Sequence, residues 1–78
     1  MNKIRRKNLQ EIIGQLEDLK DSLEALQGEE EEYLENIPEN LQNSDLYQKA
    51  EDAASNLDDA ISSLEEAINS VEEATGKA

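Results

Sequence analysis

Between Leu9 and Leu26 the chain places apolar residues at Leu9, Ile12, Leu16, Leu19, Leu23 and Leu26. The steps alternate between 3 and 4 residues, the spacing that keeps one stripe of a helix facing a partner helix. Continued, the count lands on Glu30, Tyr33 and Ile37, so one carboxylate sits on the stripe. The pattern predicts a first helix over about residues 3–35. Gly14 and Gly28 each weaken that helix by about 1 kcal/mol relative to alanine, and Gly28 is the place for a bend or an end.

The pattern breaks at Asn36-Ile37-Pro38-Glu39-Asn40-Leu41-Gln42-Asn43. Proline has no backbone N–H and pushes the residue before it out of helical geometry. Asn40, Asn43 and Ser44 offer side-chain oxygens to the free amides of a helix start, and Asp45 suits the positive end of the helix dipole. A turn over about residues 36–43 and a second helix over about residues 44–75 follow.

The second half is an internal repeat of seven residues. Ala50-Glu51-Asp52-Ala53-Ala54, Leu57-Asp58-Asp59-Ala60-Ile61, Leu64-Glu65-Glu66-Ala67-Ile68 and Val71-Glu72-Glu73-Ala74-Thr75 follow one another with two polar residues between them. At 100° per residue the first, fourth and fifth positions of each unit gather on one face, and the acidic pairs lie opposite. That is the three-in-seven face of a bundle helix, with alanines that admit a close neighbour. Gly76 ends it, with Lys77 near the negative end of the dipole.

Two long helices of near-equal length joined by a short turn predict an all-α antiparallel helical hairpin. A single seam leaves Ile4, Ile13, Leu34 and one flank of the alanine-rich face partly wet. A dimeric four-helix bundle or coiled coil, or docking onto another protein, would cover them. The candidate self-association seam is Leu9, Ile12, Leu16, Leu19, Leu23 and Leu26 with Leu57, Ile61, Leu64, Ile68 and Val71.

Charge sets the class of partner. Of 78 residues, 20 are Asp or Glu and 7 are Lys or Arg, for a net charge of −13. Four of the basic residues, Lys3, Arg5, Arg6 and Lys7, precede Asn8; from there on three basic residues meet 20 acidic ones, a net of −17. High charge with low hydrophobicity marks disorder, against which the periodicity argues. Direct binding of nucleic acid or of an acidic membrane is disfavoured, and a basic protein surface is favoured. The chain has no Cys and no His, which removes thiol and imidazole chemistry, structural zinc and the usual pH switch. No cofactor, metal or catalytic residue is expected, and neither a membrane span nor a secretory signal is legible.

Glu29, Glu30, Glu31 and Glu32 point around a helix instead of converging, so they read as a solvated turn or a docking patch for basic side chains. The pairs Glu51-Asp52, Asp58-Asp59, Glu65-Glu66 and Glu72-Glu73 recur about every 10.5 Å along the helix. They read as a solvated face, or as a negative rod resembling a nucleic-acid backbone. The basic cluster lies at a helix N-terminus, where cations are mildly unfavourable, and an antiparallel hairpin would bring Glu72 and Glu73 close to it. Tyr33 and Tyr47 flank the turn and are expected to plug its closed end.

The turn Asn36-Ile37-Pro38-Glu39-Asn40-Leu41-Gln42, with Tyr47-Gln48-Lys49-Ala50-Glu51, the basic start and the Leu64-Glu65-Glu66-Ala67-Ile68 repeat, resembles small acidic two-helix proteins of Gram-positive phages, prophages and mobile elements. That group has no settled activity. The resemblance implies a host-directed accessory protein in the cytoplasm of a bacterial host or phage-infected cell, and assigns no functional residue. The function expected is a non-catalytic acidic interaction module that blocks a basic, nucleic-acid-binding surface of a host or defence protein. The alternative is a homo-oligomeric assembly module whose acidic face serves solubility and register.

Overall fold

A computed structural model describes residues 1–76. It contains helix α1 (Lys3–Glu35), a single 3-10 turn (Glu39–Leu41) and helix α2 (Asp45–Ala74). The two helices pack along their length as a hairpin, 59 Å long and 16 by 15 Å across between Cα atoms. Lys77 lies outside the described residues.

Each boundary has a local cause. Asn2 opens α1: its Oδ1 accepts from the backbone N–H of Arg5 at 2.7 Å, which satisfies one of the free amides of the first turn. Helix α1 runs unbroken through Gly28 and ends at Asn36, whose N–H donates to the carbonyls of Glu32 and Tyr33. Pro38 then carries extended backbone (ψ 147°) into the 3-10 turn. Ser44 opens α2, its Oγ accepting from the N–H of Tyr47 at 3.3 Å, with Asp45 in the first turn. At the far end Gly76 takes φ 82°, the left-handed conformation that closes helices, and donates to the carbonyl of Glu73 at 3.0 Å.

The interior of the hairpin is a single seam. From α2 it takes Tyr47, Ala50, Ala54, Leu57, Ile61, Leu64, Ile68, Val71 and Thr75, all buried or half-buried. These are the apolar positions of the seven-residue repeat. From α1 it takes Leu9, Ile13, Leu16, Lys20, Leu23, Gln27, Glu30 and Leu34, and it closes on Ile37 in the turn.

The α1 register differs from the sequence expectation. Leu9, Leu16 and Leu23 hold the seam as expected, but their companions are Ile13, Lys20, Gln27 and Leu34, each one position later than Ile12, Leu19, Leu26 and Tyr33. Ile13 is 7% exposed, whereas Ile12, Leu19, Leu26 and Tyr33 are 43%, 58%, 54% and 45% exposed. The helix is therefore turned by roughly 50° from the face that looks most apolar in the sequence. The turn explains this. Ile37, at 7% exposure, is drawn into the hairpin's end by Pro38 and by its N–H donating to the carbonyl of Leu34. Counting back in heptads from Ile37 and Leu34 gives Glu30, Gln27, Leu23, Lys20, Leu16, Ile13 and Leu9, the observed set. Of the four positions expected to stay wet, Ile13 is buried, Leu34 is half-buried and Ile4 is exposed; the alanine flank of α2 is mostly exposed.

Candidate functional site: two unlike edges of one hairpin

Lys20 fixes how the two helices face each other. Its Nζ lies 3.5 Å from Glu24 on its own helix and 3.5 Å from Glu65 on α2. Glu24 and Glu65 therefore line the same edge of the hairpin, and the heptad repeat extends each into a row. On α1 the row begins with Lys3 and Gln10 and continues as Glu17, Glu24 and Glu31; on α2 it is Glu51, Asp58, Glu65 and Glu72. An open groove of about 360 Å³ lies along this edge, lined by Glu17, Lys20, Asp21, Glu65, Ile68, Asn69 and Glu72. Partial loss of water pulls the pKa of Lys20 down, while the negative charges of Glu65 and Glu24 pull it up and prevail, leaving it above the ordinary lysine value.

The candidate acidic residues divide between this edge and the outer faces. Glu31 belongs to the edge and accepts from Gln27 Nε2 at 2.8 Å. Glu30 is half-buried at the seam, while Glu29 and Glu32 are exposed on other sides of the helix. Of each repeated pair the first acid (Glu51, Asp58, Glu65, Glu72) is on the edge. The second (Asp52, Asp59, Glu66, Glu73) is exposed, one residue further round the outer surface of α2.

The expected pairing of the N-terminal cluster with Glu72 and Glu73 is absent: among the described residues, the only ion pairs within 4 Å are those of Lys20. Arg5 falls in the heptad row opposite the acidic edge, away from Glu72. Arg6 donates to its neighbour Met1, at the carbonyl, at 3.5 Å. Lys3, Arg5, Arg6 and Lys7 are exposed, where immobilising two long side chains for one screened contact gains little. Of the two tyrosines, Tyr47 is half-buried in the seam at the turn end, but Tyr33 is displaced outward with the rest of its row. Among the described residues, no three acidic side chains are grouped closely enough to hold a metal ion, and no helix is long and apolar enough to cross a membrane.

Because the acidic rows share one edge, the rows on the other flank of each helix share the opposite edge. On α1 that row is Arg5, Ile12, Leu19, Leu26 and Tyr33; on α2 it is Leu46, Ala53, Ala60, Ala67 and Ala74. The bulky members are about half exposed, Leu46 at 53%. The next rows outward are Asn8, Gln15, Ser22, Glu29 and Asn36 on α1, and Lys49, Asn56, Ser63 and Ser70 on α2. Among the described residues, the charges across these four rows are Arg5, Glu29 and Lys49, a net of +1. A chain with 35% charged residues and a net charge of −13 thus carries one long face that is mostly apolar, rimmed by polar groups with only Arg5, Glu29 and Lys49 charged.

Sequence reasoning put Ile12, Leu19 and Leu26 in one candidate self-association seam with Leu9, Leu16 and Leu23, whereas the structure turns the first three outward and half-buries the last three in the hairpin. The signal was present: α1 offers two overlapping heptad stripes, and one hairpin can bury only one of them. No protein-family model, no curated protein and no solved structure matches the chain.

Proposed function

We propose that the chain is a non-catalytic protein-interaction module that lays its acidic edge on a basic, nucleic-acid-binding surface of another protein and blocks it. The observation that carries the reading is the alignment of Glu17, Glu24 and Glu31 with Glu51, Asp58, Glu65 and Glu72 along one edge, where Lys20 is, among the described residues, the one cation lining the groove. A partner's Arg or Lys entering that groove meets Glu17, Asp21 and Glu72 without displacing a packed side chain. Rows of carboxylates one heptad apart present charge at about 10.5 Å intervals on a stiff rod, and complementary potentials speed association and select the partner. The sequence resemblance supports a phage or mobile-element origin and a bacterial cytoplasm as the place of action.

The test is affinity capture from a Gram-positive lysate with low- and high-salt washes, beside a variant carrying Glu65→Lys and Glu72→Lys. The reading expects a stoichiometric basic protein that leaves at high salt, since exposed charge contacts are screened, and that the variant fails to hold although its helicity is unchanged. Equal capture by the variant would refute it.

A second reading is favoured by the apolar edge. The chain is then a homo-oligomeric assembly module, a dimeric four-helix bundle whose charge serves solubility and register.

A further inference from the structure

We infer that the apolar edge is occupied by a second copy of this chain, with the bulky row of α1 packed against the alanine row of the partner copy's α2. The inference deepens the pairing reading and does not depend on what the acidic edge binds.

Three observations point to a second copy. The first is charge. Two molecules of net charge −13 repel at every face rich in carboxylates, and the apolar edge, where Glu29 is the one carboxylate against Arg5 and Lys49, is the long face along which two copies can approach with least repulsion. A basic partner would find one carboxylate there, Glu29, beside Arg5 and Lys49 that repel it. The second is size. A face 59 Å long and 16 Å wide offers on the order of 900 Å², close to the roughly 800 Å² per partner of a stable interface. The third is shape. Ile12, Leu19, Leu26 and Tyr33 stand out from α1, and Ala53, Ala60, Ala67 and Ala74 leave α2 shallow. Large against small across facing helices keeps the spacing even.

That complementarity also sets the symmetry. A two-fold axis along the hairpin places each α1 beside the other copy's α2 and puts both turns at the same end. A two-fold across the hairpin would instead set leucines on leucines and alanines on alanines. In the along-axis arrangement each helix buries a three-in-seven face, the acidic edges lie outside, and the four helices close a bundle.

Sedimentation equilibrium on the full chain tests the pairing. The expected result is a mass of twice 8.7 kDa at tens of micromolar, reduced to one chain by Leu19→Glu with Leu26→Glu, while helicity persists because both side chains are already exposed in the hairpin. Ala67→Glu should dissociate the pair from the other side of the contact, and Glu65→Lys with Glu72→Lys should not. A wild-type monomer at hundreds of micromolar would overturn both the inference and the pairing reading. A dimer that survives both apolar-edge variants would overturn the inference alone. The chain has no native cysteine, so spin labels on Asn40→Cys report the arrangement: a short separation is expected, and one approaching the 59 Å length would overturn the shared-end geometry.

Discussion

Ile12 and Ile13 are adjacent, chemically identical and on opposite sides of the question of which stripe α1 buries. Ile13 is 7% exposed and Ile12 is 43% exposed. Truncating a buried isoleucine to alanine removes its transfer free energy and leaves a cavity, together about 2–5 kcal/mol. The two-helix interior is open at its sides and can relax, which places Ile13→Ala near 2–3 kcal/mol. Within one hairpin Ile12→Ala removes side chain that is already half in water and should stay below about 1 kcal/mol. At about 4–8 °C per kcal/mol for a chain of this size, Ile13→Ala lowers the melting temperature by about 10–20 °C and Ile12→Ala by a few degrees. The assay is thermal unfolding by far-UV circular dichroism over a hundredfold range of protein concentration. The loss at Ile13 should hold throughout, whereas the loss at Ile12 should grow with concentration as pairing contributes. Equal losses for the two variants in the dilute limit would show that α1 buries the stripe that begins Leu9-Ile12, and would refute the register on which both edges rest.

Two further outcomes follow from the interior and the helix ends. A Cβ added at Gly14 or Gly28 meets nothing within 4 Å, so Gly14→Ala and Gly28→Ala should each stabilise by about 0.5–1 kcal/mol; Gly76→Ala, at φ 82°, should destabilise, and a lower melting temperature for Gly28→Ala would show a bend that the continuous helix excludes. Lys20 has its pKa raised by Glu65 and Glu24, so its contribution is complete below the unfolded value of about 10.4 and is lost as pH rises through the higher folded value. Urea midpoints between pH 9 and pH 12 should fall less steeply for Lys20→Met than for the wild type, and identical slopes would remove Lys20 from the acidic edge's electrostatics.

The two helices, their boundaries and the breaks between them were legible because each rests on local chemistry: Pro38 without a donor, the hydroxyl of Ser44 on the Tyr47 amide, Gly76 in the left-handed region. The α2 seam was legible because its repeat offers one apolar face only. The α1 seam was not, because Leu9, Leu16 and Leu23 are shared by two stripes, and the more apolar of them is the one left outside. What chooses between them is the docking of Ile37 and Leu34 at the turn, a tertiary fact that helical periodicity does not carry. Lys20 and Gln27 look wrong for an interior, yet their long stems lie along the seam while their heads reach Glu65 and Glu31 at its margin. The acidic edge was half legible. The repeat shows pairs of acids, but only the packing shows that the first of each pair joins Glu17, Glu24 and Glu31, while the second is carried onto the outer surface.

The division of the hairpin into a pairing edge and an acidic edge is tested most directly by an isotope-filtered nuclear Overhauser experiment on a mixture of labelled and unlabelled chains, which reports contacts between copies alone. The account predicts intermolecular cross-peaks from the methyls of Leu19 and Leu26 to those of Ala60 and Ala67, and none to residues beside Glu24 and Glu65. Intermolecular cross-peaks confined to the acidic edge, or to seam residues such as Ile61 and Ile68, would contradict it.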